Sequence, residues 1–149
     1  MNHETDKLAM EDCIFCKILS GELASSIVYR DDRCTAFMDI QPVNRGHVLV
    51  VPNTHARSLA DLNDELGARL FSITKRIAAA LRQSTIRCEG VNLLLADGEA
   101  AGQEVFHVHL HVFPRYRGDG FGFKFGRGYG NKPDRTELDA AAEQIRIEL

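Results

Sequence analysis

Three histidines at alternate positions, His107, His109 and His111 in VFHVHLHVFPR, concentrate half of the six imidazoles that this 149-residue chain contains. In an extended strand, alternate side chains share one face. A strand over residues 107–113 would therefore set the three histidines on one side, with Val108, Leu110 and Val112 on the other. A neutral imidazole can attack phosphorus and hold it as a phosphoramidate, while a protonated neighbour holds a non-bridging oxygen. Just upstream, in ADGEAAGQEVF, Gly98 and Gly102 permit tight turning and Gln103 offers an amide donor. Donors beside a histidine cluster suit an anionic tetrahedral group, and phosphate is the obvious candidate. The alternative to chemistry is an exposed strand face that merely tolerates histidine.

Metal binding is the rival chemistry, because His-x-His is also a frequent pair of zinc ligands. Three neighbours on one strand do not converge easily on one small ion. One of them can do so if the other ligands come from elsewhere. Cys13-Ile-Phe-Cys16 supplies thiols at a spacing that makes half of a tetrahedral zinc site. A redox dithiol, or two core cysteines in an apolar turn, would use the same spacing. His55, in VVPNTH, and His107 are the best placed histidines to complete the set.

The elements that must position these groups can be read from periodicity. Residues 27–30 (IVYR) and 33–38 (RCTAFM) predict a hairpin, and 47–52 (HVLVVP) a third strand after the turn material of QPVNRG. Residues 91–96 and 107–113 predict a fourth and a fifth strand. Leu66, Leu70, Ile73, Ile77 and Leu81 recur at helical spacing, so 64–84 reads as a long helix with one buried stripe, capped by Asn63 or Asp64. The tail, 135–149, alternates as an amphipathic helix. The class is α+β, an antiparallel sheet of about five strands with one long packed helix.

Length and composition set bounds on function. The chain is of single-domain length, with residues 1–12 as a loose polar leader and 13–149 as the domain. A net charge of −3 argues against nucleic-acid or acidic-membrane binding driven by bulk charge, and no apolar run approaches a membrane span. The leader is unlike a secretory signal, and the four cysteines fit a reducing interior, so a cytoplasmic location is expected. The segment RGDGFGFKFGRGYG, 117–130, interleaves aromatic with basic residues, a mixture that can stack on single-stranded nucleic acid. Without a basic field in the rest of the chain, a loop packed on the body or on a partner subunit is the preferred reading.

Taken together, CIFCKILSGEL, the hairpin, GHVLVVPNTH, the long helix and GQEVFHVHLHVFPR resemble the histidine-triad (HIT) family over about residues 13–116. The similarity is greatest to its Hint-type, nucleotide-binding branch. The resemblance implies the HIT-like fold and a nucleotide hydrolase acting at the α-phosphorus of a purine nucleotide derivative: a phosphoramidate, an acyl-nucleotide or a dinucleoside polyphosphate. A nucleotidyltransferase, or a nucleotide-binding protein with little turnover, is the alternative. By position, His109 corresponds to the nucleophile, His111 to the imidazole on the phosphate, and Gln103 to the glutamine near the bridging oxygen and leaving group. Asp39 corresponds to the acceptor of ribose hydroxyls and His47 to a buried support of the triad strand. In zinc-bearing relatives the ligands correspond to Cys13, Cys16, His55 and His107, one structural zinc per chain. The family is typically a homodimer. Two positions depart from its pattern: Ala96 stands where many relatives have Asn or Gln, and Glu104 where many have Ser or Thr.

Overall fold

The computed structural model describes residues 12–149, so all of the expected leader except Asp12 lies outside the described residues. Five strands form one antiparallel sheet: β1 (Ile27–Arg30), β2 (Cys34–Met38), β3 (Val48–Pro52), β4 (Gly90–Leu94) and β5 (Leu110–Arg115), in the order β1-β2-β3-β5-β4. The two compact units, up to Asp119 and from Gly120 onward, are described separately.

In the first unit, β2 and β3 pair over their whole length, Cys34 opposite Pro52 through Met38 opposite Val48. Every residue of β3 is buried. A strand covered on both faces has no place for a polar alternation, which explains the unbroken VLVVP. On one face Cys34, Ala36, Val48, Val50 and Val112 meet Leu70, Ile73, Ile77, Ala78 and Leu81 of the long helix. Burying each such large aliphatic side chain contributes roughly 1.5–3 kcal/mol. The opposite face carries Phe37, Leu49 and Val51, packed with Cys13 and Phe15. His111 pairs with Leu49 in the ladder, so it projects on this second face, away from the long helix.

Among the described residues, two α-helices belong to this unit. The long one, α2 (Asp64–Gln83), has its first turn capped by Asn63, whose side chain accepts from the Leu66 amide at 2.8 Å. A seven-residue helix, α1 (Ile14–Ser20), was not expected from periodicity; Gly21, at φ 84°, ends it in the left-handed region. Cys13 precedes the helix as its N-cap and Cys16 stands in its first turn.

Gly46 shows how closely α2 and the sheet approach. Its φ is +101°, and a Cβ there would lie 3.1 Å from both Ile86 Cγ2 and Leu81 Cδ2. The backbone angle favours glycine immediately before His47, and a Cβ there would crowd both side chains.

In the second unit, α3 (Arg135–Arg146) begins at Asp134, whose side chain accepts the Glu137 amide at 2.8 Å. It stops three residues short of the expected 149, because the chain passes into a turn at Ile147. Aromatic residues of this unit pack on one another: Phe125 and Tyr129 stack at 3.8 Å between centroids, with an interplanar angle of 15°.

Candidate active site and metal centre

The fifth strand starts later than its histidine spacing suggests. β5 begins at Leu110, so His107 and His109 precede it, and the expectation of one strand over 107–113 is corrected. The cause is a competing set of backbone partners. The Val108 amide donates to the Ala56 carbonyl at 2.7 Å, and the His107 amide to Val105 at 2.9 Å, drawing the chain out of the ladder. The three rings consequently serve two neighbouring clusters, where a regular strand would have set them in one row.

His107 is fully buried and faces the thiols. Its Nε2 donates to the Pro52 carbonyl at 2.9 Å, which fixes that tautomer and leaves the Nδ1 lone pair bare. That nitrogen lies 3.5 Å from Cys13 Sγ and 3.6 Å from Cys16 Sγ, while His55 Nδ1 lies 3.3 Å from Cys16 Sγ. In a tetrahedral zinc site with ordinary Zn–S and Zn–N bonds, sulfur and nitrogen ligands stand about 3.5 Å apart. One ligating atom from each of Cys13, Cys16, His55 and His107 falls within 4.8 Å of every other. The four residues named for the metal thus come together as a possible Cys/His metal site, and their donor set fits zinc. Burial, helped by the Cys13 thiol beside it, pushes the Cys16 thiol up to about 12.

His109 uses its nitrogens the other way round. Its Nδ1 donates to the His107 carbonyl at 2.7 Å, leaving Nε2 unprotonated. The ring is buried, and burial lowers its pKa from the usual histidine value, so it is neutral at pH 7. The edge-on ring of Phe15, 5.1 Å away between centroids, contributes to that dry environment. A neutral, oriented imidazole with a free Nε2 meets the requirement for a nucleophile.

His111 is placed by a chain of donors. The Val43 amide donates to His47 Nδ1 at 3.1 Å, so the proton of neutral His47 sits on Nε2. From there it is donated to His111 Nδ1 at 2.9 Å, which leaves His111 with its proton on Nε2. Burial is the main cause lowering both rings, His111 to about 4. Asp39 Oδ2 stands 3.5 Å from His47 Nε2 and 3.9 Å from His111 Nδ1, and Asp39 Oδ1 accepts the Gln41 amide at 2.8 Å. These three side chains are close enough to share a cation. The proton on His47 Nε2 makes them a hydrogen-bond chain.

Gln103 is buried, and its amide is committed within the protein. Its Oε1 accepts from the Gly98 amide at 2.7 Å, and its Nε2 donates to the carbonyls of Arg57, at 2.8 Å, and Val105, at 3.2 Å. In this structure it closes the turn that leads into the histidines. Glu104 is exposed and lines a cavity of about 310 Å³ with Cys13, Arg57 and Phe106; Ala96, just beyond β4, is half-buried.

The partners missed from the sequence are mostly main-chain groups: the Pro52 and His107 carbonyls and the Val43 amide. Residue type carries no signal for them. Phe15 could have been suspected from its place inside the Cys-x-x-Cys spacing.

With that geometry in view, comparison with known proteins is informative. The HIT domain family model matches residues 20–118. An uncharacterised HIT-like protein of Borreliella burgdorferi is 48% identical over 118 residues, covering 78% of this chain and 85% of its own. The adenylylsulfatase HINT3 of Arabidopsis thaliana is 37% identical over 108 residues, 72% of this chain and 54% of its own. Among solved structures, a HIT-family protein from Bacillus subtilis superposes with a TM-score of 0.84 at 40% identity, covering 93% of this chain and 97% of that one. A zinc-bound histidine triad family protein from Mycobacterium smegmatis gives 0.73 at 39% identity, covering 94% and 99%. A histidine triad nucleotide-binding protein from Candida albicans gives 0.77 at 29%, covering 92% and 96%. The chain, with its two histidine clusters, belongs to the histidine-triad family.

Proposed function

We propose that this protein is a nucleotide hydrolase that cleaves a purine nucleotide derivative at its α-phosphorus through a covalent intermediate on His109. The observation that carries this reading is the free Nε2 of the buried His109 ring, which a Nδ1 hydrogen bond to the His107 carbonyl holds in place. Relatives named as an adenylylsulfatase and as a nucleotide-binding protein support the substrate class. The Nε2 lone pair attacks phosphorus, and the bond to the leaving group breaks with its electron pair. The leaving group takes a proton from water. The resulting nucleotidyl-imidazolium keeps its Nδ1 proton on the His107 carbonyl, which disperses the positive charge. Water then attacks phosphorus, the P–N bond returns its pair to Nε2, and the surplus proton passes to solvent. His111, with its proton on Nε2, donates to a non-bridging oxygen, and His47 supports it. Asp39 accepts from the ribose hydroxyls, and Gln103 lies toward the leaving group.

Cys13, Cys16, His55 and His107 would hold one zinc per chain in a closed set of four protein ligands, which makes the metal structural. A homodimer fits the sheet: β4 is an edge strand, and Leu93 and Leu94 on it are both about 40% exposed. Among the described residues no helix is long and apolar enough to cross a membrane. We keep the cytoplasm as the proposed location.

A nucleotide-binding protein with little turnover, or a transferase, is the second reading. It is favoured by Gln103, whose amide donors already serve Arg57 and Val105. A turnover screen decides between them. Purified protein is offered adenosine and guanosine phosphoramidates, dinucleoside polyphosphates and acyl-nucleotides, with and without phosphate-bearing acceptors. Release of mononucleotide in water supports hydrolysis. New products only with an acceptor indicate a transferase, and tight binding without product indicates a binder.

A further inference from the structure

His111 owes its orientation to a loop, residues 39–47, and that loop is fastened at one side chain. Asn44 is 8% exposed. Its Nδ2 donates both to the Pro114 carbonyl, at 2.9 Å, and to Asp119 Oδ2, at 2.8 Å. Its own carbonyl accepts the His47 amide at 3.1 Å. The acceptors are themselves held firmly. Arg115, at the end of β5, grips Asp119 with Nε at 2.6 Å and Nη2 at 2.9 Å, and the Tyr116 amide adds a donor at 3.3 Å. Arg115 Nη1 also reaches Asn92 Oδ1 on β4 at 2.6 Å. A two-point guanidinium–carboxylate pair tied to two strands is a rigid anchor, and an ionised acceptor strengthens the bond from Asn44.

Directly beside Asn44, the Val43 amide donates to His47 Nδ1. A main-chain amide can only donate, so the direction of every later bond in the chain to His111 follows from where Val43 is held. Release of the loop would remove that donor. His47 could then carry its proton on either nitrogen, and so could His111.

We propose that Asn44, anchored by Arg115 and Asp119, is a positioning residue that sets the tautomer of His111 and so keeps its Nε2 proton directed toward the phosphate. The phosphate part of this inference rests on the function proposed above; the tautomer part does not.

The test compares the full-length protein with Asn44→Ala by long-range proton–nitrogen NMR of the imidazoles at pH 7. In the unaltered protein His47 and His111 are both expected to show a protonated Nε2 and a bare Nδ1. In Asn44→Ala the His111 nitrogens are expected to move toward averaged shifts, with kcat on a nucleoside phosphoramidate falling roughly tenfold, the worth of one hydrogen bond to a charged group. If the alanine variant does not fold, Asn44→Ser, which keeps a donor for one of the two acceptors, is measured in its place and should show a smaller shift of the same sign. A folded variant with a lower melting temperature but unchanged His111 nitrogens would mean that Asn44 only stabilises the loop, and would overturn the proposal. An unaltered protein that turns over no nucleotide would contradict the function, while the NMR comparison would still decide the role of Asn44.

Discussion

His107 and His109 stand two residues apart; both are buried, and burial lowers both toward the neutral form, His107 to about 4. Each gives one ring proton to a main-chain carbonyl. The difference is which nitrogen gives it. Pro52 takes the Nε2 proton of His107 and turns a bare Nδ1 toward two thiols. His107 in turn takes the Nδ1 proton of His109 and leaves a bare Nε2. In the function proposed above, two carbonyls therefore suit one ring to metal binding and the next to nucleophilic attack, although the side chains are identical. The chemistry of a histidine pair lies as much in its backbone partners as in its spacing.

The largest expected effect separates the two rings. His109→Ala should lower turnover by several powers of ten, as loss of a covalent nucleophile does. Mononucleotide affinity should stay within a few-fold, since Asp39 and His111 are left in place. Near-normal kcat in this variant would end the nucleophile assignment.

On the other side of the comparison, Cys16→Ser should act on stability. Zinc content, measured by elemental analysis, should fall well below one per chain, and the melting temperature should drop by on the order of 5–10 °C. An unaltered protein that contains no zinc and melts like the variant would remove the metal centre from the reading.

Ala96→Asn sharpens the phosphate side. A well-placed donor to a charged oxygen is worth about 1.5–3 kcal/mol, so kcat/KM on a small phosphoramidate should rise by up to roughly ten- to a hundredfold. Losses on both a phosphoramidate and a dinucleoside polyphosphate would show that the pocket is shaped around alanine, contradicting the Hint-like substrate class.

The smallest effect is on acid stability. His111 is held neutral down to about 4 in the folded protein, whereas an unfolded histidine titrates near 6.5. Between those values the unfolded chain binds a proton that the folded chain refuses. Its contribution is therefore complete above the unfolded pKa and is lost as pH falls toward the folded one. His111→Asn should make the fall in unfolding free energy between pH 6.5 and 5, measured by urea denaturation, shallower by on the order of 1 kcal/mol. An equally steep fall in the variant would place the acid sensitivity on other groups.

Much of this arrangement was legible in the residues. The 66–81 stripe follows the 3.6 period of a helix, and the hairpin strands and the buried β3 run read as short apolar segments bounded by turn residues. The ligand set Cys13, Cys16, His55 and His107 also came from spacing, and its atoms do converge. The start of β5 was not legible. Alternation continues unbroken through 106–112, while the backbone of Val108 bonds to Ala56, a residue distant in sequence. α1 is two turns long, too short for a periodic signal to rise above its neighbours. The committed amide of Gln103 was also hidden, because its acceptors are main-chain carbonyls. Residue type shows a side chain's capacity to donate, and only the fold shows whether that capacity is already used.

The claim that most needs testing is that the His107 carbonyl makes Nε2 of His109 the attacking atom. Rapid acid quench of the protein with a radiolabelled adenosine phosphoramidate, followed by peptide mapping and nitrogen–phosphorus NMR of the adduct, tests it directly. The expected result is a single nucleotidyl group on Nε2 of His109, formed and lost at rates that match turnover. A nucleotide on His111 or on Nδ1 of His109, or product released with no adduct at any time, would contradict it.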